Sequence, residues 1–313
     1  MYFGYCNIVS FFGTQLTRNK IISDMKYYYI LLLLALSINS YSQDLPAYKI
    51  YTGDGKKADY QDILKKALKA DVVFFGELHD NPIAHWLELE LTKDLFAEKG
   101  NNLVLAAEMF ETDNQLIIDE YFDDIIKESS FENEARLWKN YSTDYKPLVS
   151  FAKKNNLSFV ASNIPRRYAS LVSSGGFDAL QKVSEEGKKY IAPLPVEYDP
   201  ELPCYKDMLN MDMGPKGPNP ENFPKAQAIK DATMANSIVK YRQPGQMVIH
   251  YNGSYHSDRF QGILWYLNKY SPSTKSLTIT SVLQSEIDKM SDESKNQADF
   301  VIVIPASMTR TYK

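Results

Sequence analysis

The sequence predicts an α/β fold: a mostly parallel central sheet flanked by helices, with a small helical insertion subdomain. First, short runs that are apolar at nearly every position alternate with longer amphipathic segments, which is typical of a parallel sheet covered on both faces. Second, polar residues follow these runs directly, at the edge where such sheets bind ligands. Third, one region rich in proline and glycine interrupts the alternation.

The apolar runs predict strands, and the periodic segments between them predict helices. The predicted strands cover residues 72–75, 103–107, 158–161, 247–251, 276–282 and 300–304. The predicted helices cover residues 59–69, 83–98, 114–126, 131–139, 147–155, 226–241 and 258–269. Asn81 and Pro82 precede the second helix as an N-cap and a first-turn proline.

The interrupted region runs from about Tyr168 to Pro224 and contains the stretches "APLPVEYDPELPCY" and "MGPKGPNPENFP". Such composition is typical of turns and irregular connections. A structureless loop of this length is unusual inside a compact domain. We therefore predict a helical insertion at about residues 168–225 within one domain that spans residues 43–313.

Residues 1–42 are predicted to comprise an upstream segment and a cleaved signal peptide. The stretch "MKYYYILLLLALSINSYSQ" starts at Met25, continues with a short apolar run and ends in small residues before Gln43. Met25 is a candidate for the true start, and an uncleaved anchor is the alternative. Because no cysteine follows the run, we expect an exported protein, periplasmic or associated with the outer membrane, that is not lipidated.

The composition excludes some functions. The net charge is −4, and no basic tract stands out among the charged residues, so nucleic acid is not an expected partner. Cys204 is the one cysteine after the predicted cleavage site. An intramolecular disulfide is therefore not expected, and the hydrophobic core must hold the fold.

Polar residues follow four of the predicted strands. They are Glu77, His79 and Asp80 after the first strand, Glu108 after the second, Asn163 and Arg166 after the third, and Asn252 and His256 after the fourth. The carboxyl ends of parallel strands lie at one edge of the sheet, where ligands bind. We therefore expect these four segments to form one site.

Two of these segments share the form Gly-x-x-His, in "GELH" and "GSYH". His79, Glu108 and His256 are a candidate metal site with a coordination position left for water. Glu77 or Asp80 could orient a ligand or act as a general base. His256 is expected near the start of its helix, where the dipole favours the neutral imidazole that binds metals.

Structural alternatives stand beside each of these roles. A histidine at a strand end can serve hydrogen bonding alone, and Glu108 could cap a helix or pair with Arg166. His85 is expected to be structural and His250 to lie in the core. The histidines of the site could also act as general bases without a metal.

Five stretches resemble the ChaN-like haem-binding uptake family, within the Tiki/TraB and erythromycin-esterase-like superfamily. They are "GELHDNPIAHWLELEL", "AAEMFETDNQ", "YKPLVSFAKKNNLSFVASNIPRRY", "QAIKDATMANSI" and "VIHYNGSYHSDRF". They follow the family order, and the resemblance extends from about Tyr48 to Val282. It implies a parallel α/β core with a small helical subdomain, and haem as the cofactor.

The resemblance also implies a homodimer with two stacked haems, iron acquisition, and outer-membrane haem or iron uptake components as partners. Matched by motif, His79, Glu108 and His256 would form the catalytic or metal site of the wider superfamily, assisted by Glu77. The family's haem ligand is a tyrosine outside the Gly-x-x-His motifs. The candidates for it are Tyr198 and Tyr205, with ordinary packing as the alternative for each.

Other residues have candidate roles toward haem. Arg166 and Arg167 could pair with the haem propionates, or Arg166 could neutralise the carboxylates of Glu77, Asp80 and Glu108. The methionines of the insertion are expected to fill apolar space. They are Met208, Met211 and Met213.

Haem binding in an iron or haem acquisition system is the leading functional prediction. The alternative is a metal-dependent hydrolase that uses the two Gly-x-x-His motifs and Glu108 at the C-terminal edge of the sheet, with a divalent metal ion. A third possibility is an exported binding module whose edge residues are vestigial.

Overall fold

An eight-stranded sheet forms the centre of the protein. The computed structural model describes residues 45–210 and 219–312, and those from Ala47 onward belong to one compact unit. The strands are β1 (Lys49–Thr52), β2 (Lys57–Ala58), β3 (Val72–Glu77), β4 (Leu103–Glu111), β5 (Ser158–Asn163), β6 (Met247–Gly253), β7 (Ser276–Gln284) and β8 (Phe300–Pro305). Their order is β2-β1-β8-β7-β3-β6-β4-β5. Only β1 pairs antiparallel, with β2 and β8, which confirms the predicted fold class.

Helices cover both faces of this sheet. They are α1 (Tyr60–Ala67), α2 (Pro82–Lys99), α3 (Gln115–Phe122), α4 (Glu128–Glu134), α5 (Lys146–Lys154), α6 (Arg166–Gly175), α7 (Glu185–Lys188), α8 (Pro203–Lys206), α9 (Asn222–Tyr241) and α10 (Ile263–Tyr270). The predicted start of α2 is confirmed, because the Asn81 side chain accepts hydrogen bonds from the amides of Ile83 and Ala84 and Pro82 opens the helix.

Two predicted helices differ from the structure by five residues at one end. The helix predicted over 131–139 is α4, which ends at Glu134, because Arg136 has a positive φ of 49° that interrupts helical geometry. The helix predicted from residue 258 begins at Ile263. Arg259 and Phe260 have φ of 56° and 59°, so a tight turn separates the end of β6 from α10. The short strands β1 and β2 were not predicted.

Alternate residues of the central strands face two hydrophobic clusters. Val73 and Phe75 of β3 point into the cluster beneath α2 and α5, whereas Val72 and Phe74 point into the cluster beneath α9 and α10. All four side chains are buried. Burying each side chain of this kind stabilises the fold by about 1.5–3 kcal/mol, and this explains why β3 is apolar on both faces.

The strand order brings the two Gly-x-x-His motifs together. β3 and β6 are parallel neighbours, with Glu77 opposite Gly253 in the register. β4 lies on the other side of β6, with Ala107 opposite Tyr251. The register of β4 with β5 shifts between Ala107 and Glu111. Such an irregularity re-aims side chains at the edge of a sheet, and Glu108 lies within it.

The chain from Arg166 to Leu209 forms only helices and irregular segments in the described part. The insertion boundaries at about 168–225 stay a prediction. The signal-peptide prediction falls on residues outside those that the structure describes. In the parts described, no helix has the length and apolarity needed to cross a membrane.

Candidate functional site

A cleft of about 1080 Å³ opens at the C-terminal ends of β3, β4 and β6. Its lining contains most of the polar residues predicted to meet there, which are Glu77, His79, Asp80, Glu108, Asn163, Arg166 and His256. Asn252 is fully buried behind this surface, where its amide donates to the Gly253 carbonyl and to Ser257 Oγ. The sheet edge therefore assembles segments that lie far apart in the sequence.

Glu77 orients His79 on one side of the cleft. Its Oε1 lies 2.6 Å from His79 Nδ1 and accepts a hydrogen bond of 2.7 Å from the Tyr145 hydroxyl. Burial opposes the charged form of Glu77, but the imidazoles of His85 and His79 outweigh it and lower the pKa of its carboxyl. Burial likewise opposes charging of His79, yet Glu77 and Glu108 raise its pKa on balance.

Gly253 allows His79 to reach into the cleft. A Cβ at this position would lie 2.7 Å from His79 Nε2, a distance that forces either the backbone or the imidazole to move. The amide of Gly253 donates a hydrogen bond of 2.7 Å to Glu108 Oε2. The glycine of the second Gly-x-x-His motif thus leaves room for the histidine of the first.

His256 lies buried between two carboxylates, one on each ring nitrogen. Its Nε2 is 3.2 Å from Glu108 Oε1, and its Nδ1 makes a short contact with Asp231 Oδ1 on α9. The Tyr205 hydroxyl donates a hydrogen bond of 2.8 Å to the other oxygen of Asp231. Burial opposes charging of His256, but Glu108 and Asp231 outweigh it and raise its pKa to about 10.

The expectation that His256 lies near the start of its helix is wrong. His256 ends a short 3-10 turn, and α10 begins only at Ile263, so no helix N-terminus opposes its charge. The paired imidazolium in turn outweighs burial and lowers the pKa of Glu108 to about 2. Glu108 therefore neither caps a helix nor pairs with Arg166, because its partners are Gly253 and His256.

A second imidazole is held between carboxylates beneath the cleft. His85 Nδ1 lies 3.1 Å from both Glu77 Oε2 and Glu88 Oε2, and all three side chains are buried. His85 was expected to be only structural, and Glu88, Asp231 and Tyr145 were not singled out. A signal was present, since Glu88 and Asp231 lie on helix faces that are otherwise apolar or composed of small residues.

His250 is a core residue, as expected. It is fully buried in β6, with Nε2 2.9 Å from Ser162 Oγ and Nδ1 3.0 Å from Asn252 Oδ1. Burial lowers its pKa to about 4. The neutral partners of His250 contrast with the carboxylates around the two histidines above.

The arginines predicted to meet haem are paired with acidic residues at the rim. Arg166 Nε lies 2.5 Å from Glu111 Oε1 and lines the cleft. Arg167 pairs with Asp113 at 2.5 Å and lies outside the cleft lining. Asp80 pairs with Arg310 at 3.1 Å. Arg166 thus neutralises Glu111 rather than Glu77, Asp80 or Glu108.

The tyrosines proposed as haem ligands do not line the cleft. Tyr205 is fully buried with its hydroxyl on Asp231, and Tyr198 packs between Phe177 and Tyr205. Their role as ligands stays a prediction. Tyr255 and Tyr312 do line the cleft, together with Met208. Met211 and Met213 lie outside the described residues.

One group of side chains in the described part of the chain has ligand atoms close enough to hold a metal ion. Among the described residues, Glu77, His85 and Glu88 bring one ligand atom each to within 4.8 Å of one another. His79 Nε2 and Glu108 Oε2 both lie within 4 Å of the Cβ position of Gly253, and His256 contacts Glu108. The metal and catalytic roles of His79, Glu108 and His256 stay predictions.

A mostly parallel sheet with a polar, partly apolar cleft at its C-terminal edge defines a ligand-binding or catalytic α/β protein. The model of the haem-binding uptake family, ChaN, of the Tiki superfamily matches residues 63–267. The chain therefore belongs to this haem-binding family, and the family resemblance seen in the sequence is confirmed.

Solved structures and curated proteins show more distant likeness. The chain is similar to ChaN of Campylobacter jejuni, in a structure of cofacial haem binding, with a TM-score of 0.64, 21% identity and coverage of 84% of this chain and 99% of that one. This likeness supports the fold. A mutant of the erythromycin esterase EreC gives a TM-score of 0.44 and 10% identity over 76% of this chain and 77% of that one, which carries no argument about function.

A curated relative is also found among plant proteins. The chain is 25% identical over 198 residues to RETICULATA-RELATED 5, a chloroplastic protein of Arabidopsis thaliana, with coverage of 58% of this chain and 26% of the relative. The chain thus spans about a quarter of the length of that protein.

Proposed function

We propose that this chain binds haem in the cleft at the C-terminal edge of the sheet, as an exported component of an iron or haem acquisition system. Membership of the haem-binding family supports this proposal. The observation that carries it is the cleft itself, whose volume of about 1080 Å³ is slightly above the roughly 300–1,000 Å³ typical of ligand pockets. The family match gives no comparable support to the alternative of a metal-dependent hydrolase.

The lining of the cleft fits a flat amphipathic group. Its apolar side chains include Leu137, Trp138, Met208, Phe223 and Tyr255. Its basic side chains are Lys139, Arg166 and Lys230. Apolar walls suit the macrocycle, whereas guanidinium and ammonium groups pair with propionates.

Tyr255 and Tyr312 are the tyrosines available to a ligand in the cleft. When bound, haem supplies a ferric iron that takes an axial protein ligand, and tyrosinate is one such ligand. The Tyr255 hydroxyl donates to the Cys204 carbonyl. Tyr312 is held at the cleft by its neighbours, since Thr311 Oγ1 donates to Asp144 at 2.7 Å and Arg310 pairs with Asp80.

We favour Tyr312 as the axial ligand. Burial and the nearby carboxylates of Asp80, Glu77 and Asp144 raise the pKa of its phenol. The phenolate form would therefore require stabilisation by the positive charge of a bound ferric iron. The side chain is only partly buried. Tyr312 can therefore adjust toward a ligand without breaking the core.

Haemin titration of the purified full chain, followed in the Soret region, tests the proposal. We expect a saturable band with a high-spin spectrum of the tyrosinate type. Tyr312→Phe should abolish that spectral type, whereas Tyr198→Phe, which alters a tyrosine outside the cleft, is the matched control and should leave it unchanged. A spectrum lost with Tyr198→Phe or Tyr205→Phe would instead support the candidates predicted from sequence. Absence of any saturable band contradicts haem binding.

We further propose a haem-dependent homodimer, because the neighbouring ChaN structure concerns cofacial haem. Sedimentation of the protein with and without one equivalent of haemin should show a doubling of mass only with haemin. Export is tested separately by cell fractionation with an antibody to the chain. A mature product recovered from the periplasm or outer membrane is expected, and recovery of the uncleaved chain from the cytoplasm would contradict it.

A further inference from the structure

The hydrogen bonds of His85 determine which ring nitrogen carries a proton. Its Nε2 lies 3.1 Å from the backbone carbonyl of His79 and 3.6 Å from Asp144 Oδ2. Both of these atoms are acceptors, so Nε2 must donate. In a neutral imidazole the other nitrogen, Nδ1, then presents a lone pair.

That lone pair faces two carboxylates. Nδ1 is 3.1 Å from Glu77 Oε2 and 3.1 Å from Glu88 Oε2. Glu77 is 1% exposed and Glu88 is fully buried. Within the described chain, Glu77 Oε2 and Glu88 Oε1 accept no hydrogen bond. Buried carboxylate oxygens without a partner are costly, so either a further positive charge or a proton on a carboxylate is needed among these atoms.

The cluster around His256 shows how an imidazolium alone meets this need. There each ring nitrogen faces its own carboxylate, Nδ1 that of Asp231 and Nε2 that of Glu108. In the His85 cluster a backbone carbonyl occupies Nε2, and both carboxylates converge on Nδ1. One N–H can be shared between two acceptors only weakly, whereas a metal ion accepts several donors at once.

We propose that Glu77, His85 and Glu88 bind a divalent transition-metal ion beneath the cleft, at a site separate from the Gly-x-x-His residues. Imidazole and carboxylate together suit Zn²⁺, Fe²⁺ and Mn²⁺. An octahedral ion with bonds of about 2.1 Å has ligand–ligand edges of about 3.0 Å. The two distances of 3.1 Å from His85 Nδ1 match such edges, so the side chains need little movement.

The ion would act as a fixed anchor for the cleft. The oxygen of Glu77 that faces away from the cluster holds His79 at 2.6 Å and Tyr145 at 2.7 Å. The Nε2–H of His85 fixes the ring through the His79 carbonyl, which is how bound histidines are commonly oriented. An ion between Glu77, His85 and Glu88 would therefore set the position of His79 from below.

Metal binding is tested on the full chain purified without haem, so the result does not depend on haem binding. Apoprotein prepared with a chelator is titrated with Co²⁺, and the visible d–d absorption is followed. We expect one tight equivalent. Glu88→Gln should weaken binding by at least about 100-fold, since altering residues that merely orient a ligand already costs about 10–100-fold.

Glu90→Gln is the matched control, because it makes the same change on the same helix at a side chain that pairs with Lys93 outside the cluster. It should leave the Co²⁺ affinity unchanged. If Glu88→Gln does not fold, a Co²⁺ soak of wild-type crystals decides the matter by anomalous scattering. A peak between Glu77, His85 and Glu88 supports the proposal.

Two outcomes overturn the inference. Wild-type protein that binds no Co²⁺ shows that protons alone balance the carboxylates, with His85 charged and Glu88 neutral. An anomalous peak at His79, Glu108 and His256 instead places the metal in the cleft and leaves the buried cluster without one.

Discussion

Two buried clusters at the sheet edge share the same central groups in different arrangements, and in the first of them His79 also contacts a carboxylate, that of Glu77. In each, an imidazole lies between two carboxylates, and a tyrosine hydroxyl donates to one of them. In the first cluster, His85 lies between Glu77 and Glu88, with Tyr145 on Glu77. In the second, His256 lies between Glu108 and Asp231, with Tyr205 on Asp231.

The difference lies in how the ring nitrogens are used. In the second cluster, each ring nitrogen of His256 faces a carboxylate. The imidazolium balances the charge of one carboxylate, and the other accepts a hydrogen bond from the Tyr205 hydroxyl. In the first cluster, one ring nitrogen of His85 faces a backbone carbonyl instead of a carboxylate. The same central groups thus form a cluster with a partner for each carboxylate around His256 and a cluster that lacks a partner for one carboxylate around His85. The position of the backbone carbonyl beside His85 causes this difference.

The largest expected effect comes from removing the imidazole of the second cluster. His256→Leu leaves the buried carboxylates of Glu108 and Asp231 without the cation that they share. Breaking a buried ion pair in this way lowers the free energy of unfolding by about 3–5 kcal/mol. Urea denaturation at pH 7 measures the free energy of unfolding. Adding Asp231→Asn should recover part of the loss, because one stranded charge is removed. A loss below about 1 kcal/mol would show that the cluster is not charged.

His250 sharpens the comparison, because it is a buried imidazole with neutral partners. Burial lowers its pKa from 6.5 to about 4. Since the unfolded chain takes up this proton first, the stability from a neutral His250 is complete above about pH 6.5 and is lost as the pH falls toward 4. The full difference amounts to about 3 kcal/mol.

Urea denaturation of wild type and His250→Gln at pH 7 and pH 4.5 tests this assignment. The wild type should lose about 2 kcal/mol more than the variant between the two values. Parallel losses in both proteins would show that groups other than His250 cause the acid sensitivity.

The tyrosine hydroxyls test whether both clusters hold an anion. Tyr145→Phe and Tyr205→Phe each remove a donor to a buried carboxylate, and we expect each to lower the free energy of unfolding by about 2 kcal/mol. Tyr51→Phe is the matched control, because the buried Tyr51 hydroxyl donates to the neutral carbonyl of Ile287 at 2.6 Å. It should cost about 1 kcal/mol. Equal losses at all three positions would contradict the charge of the carboxylates.

The smallest expected effect concerns the N-terminal caps of the two helices that carry residues of the clusters. Asn81 caps α2, which bears His85 and Glu88, so Asn81→Ala should cost about 1 kcal/mol. Glu221 precedes α9, which bears Asp231, without making a side-chain cap hydrogen bond. Glu221→Ala is therefore the control and should change stability little in thermal unfolding, and a loss equal to that of Asn81→Ala would refute the assignment.

The elements predicted most accurately are those with a strong local pattern. β3 and β6 are buried on both faces, and α2 has its Asn-Pro start. The end of α4 was not predicted because Arg136 adopts a positive φ, which an arginine in the sequence does not indicate. β2, of two residues, is too short to show any period.

The site was predicted only in part for a related reason. Glycine, histidine and glutamate after apolar strands indicated His79, Glu108 and His256, because parallel strand ends converge. Glu88 and Asp231 lie within helices, where a carboxylate usually faces water. His85 lies three residues before Glu88 on α2, so that pair is local. Asp231 meets His256 only in the folded structure, because the sheet brings β6 beside α9.

The position of β3 has a consequence for synthesis of the chain. Its neighbours are β6 and β7, which begin at Met247 and Ser276. β3 therefore leaves the ribosome long before either native partner exists, and long-range parallel pairing is slow and prone to aggregation. Tyr145 completes the first cluster while both partners are still missing. A chaperone that holds the nascent chain should accordingly contact β3 for longer than any strand near the C-terminus.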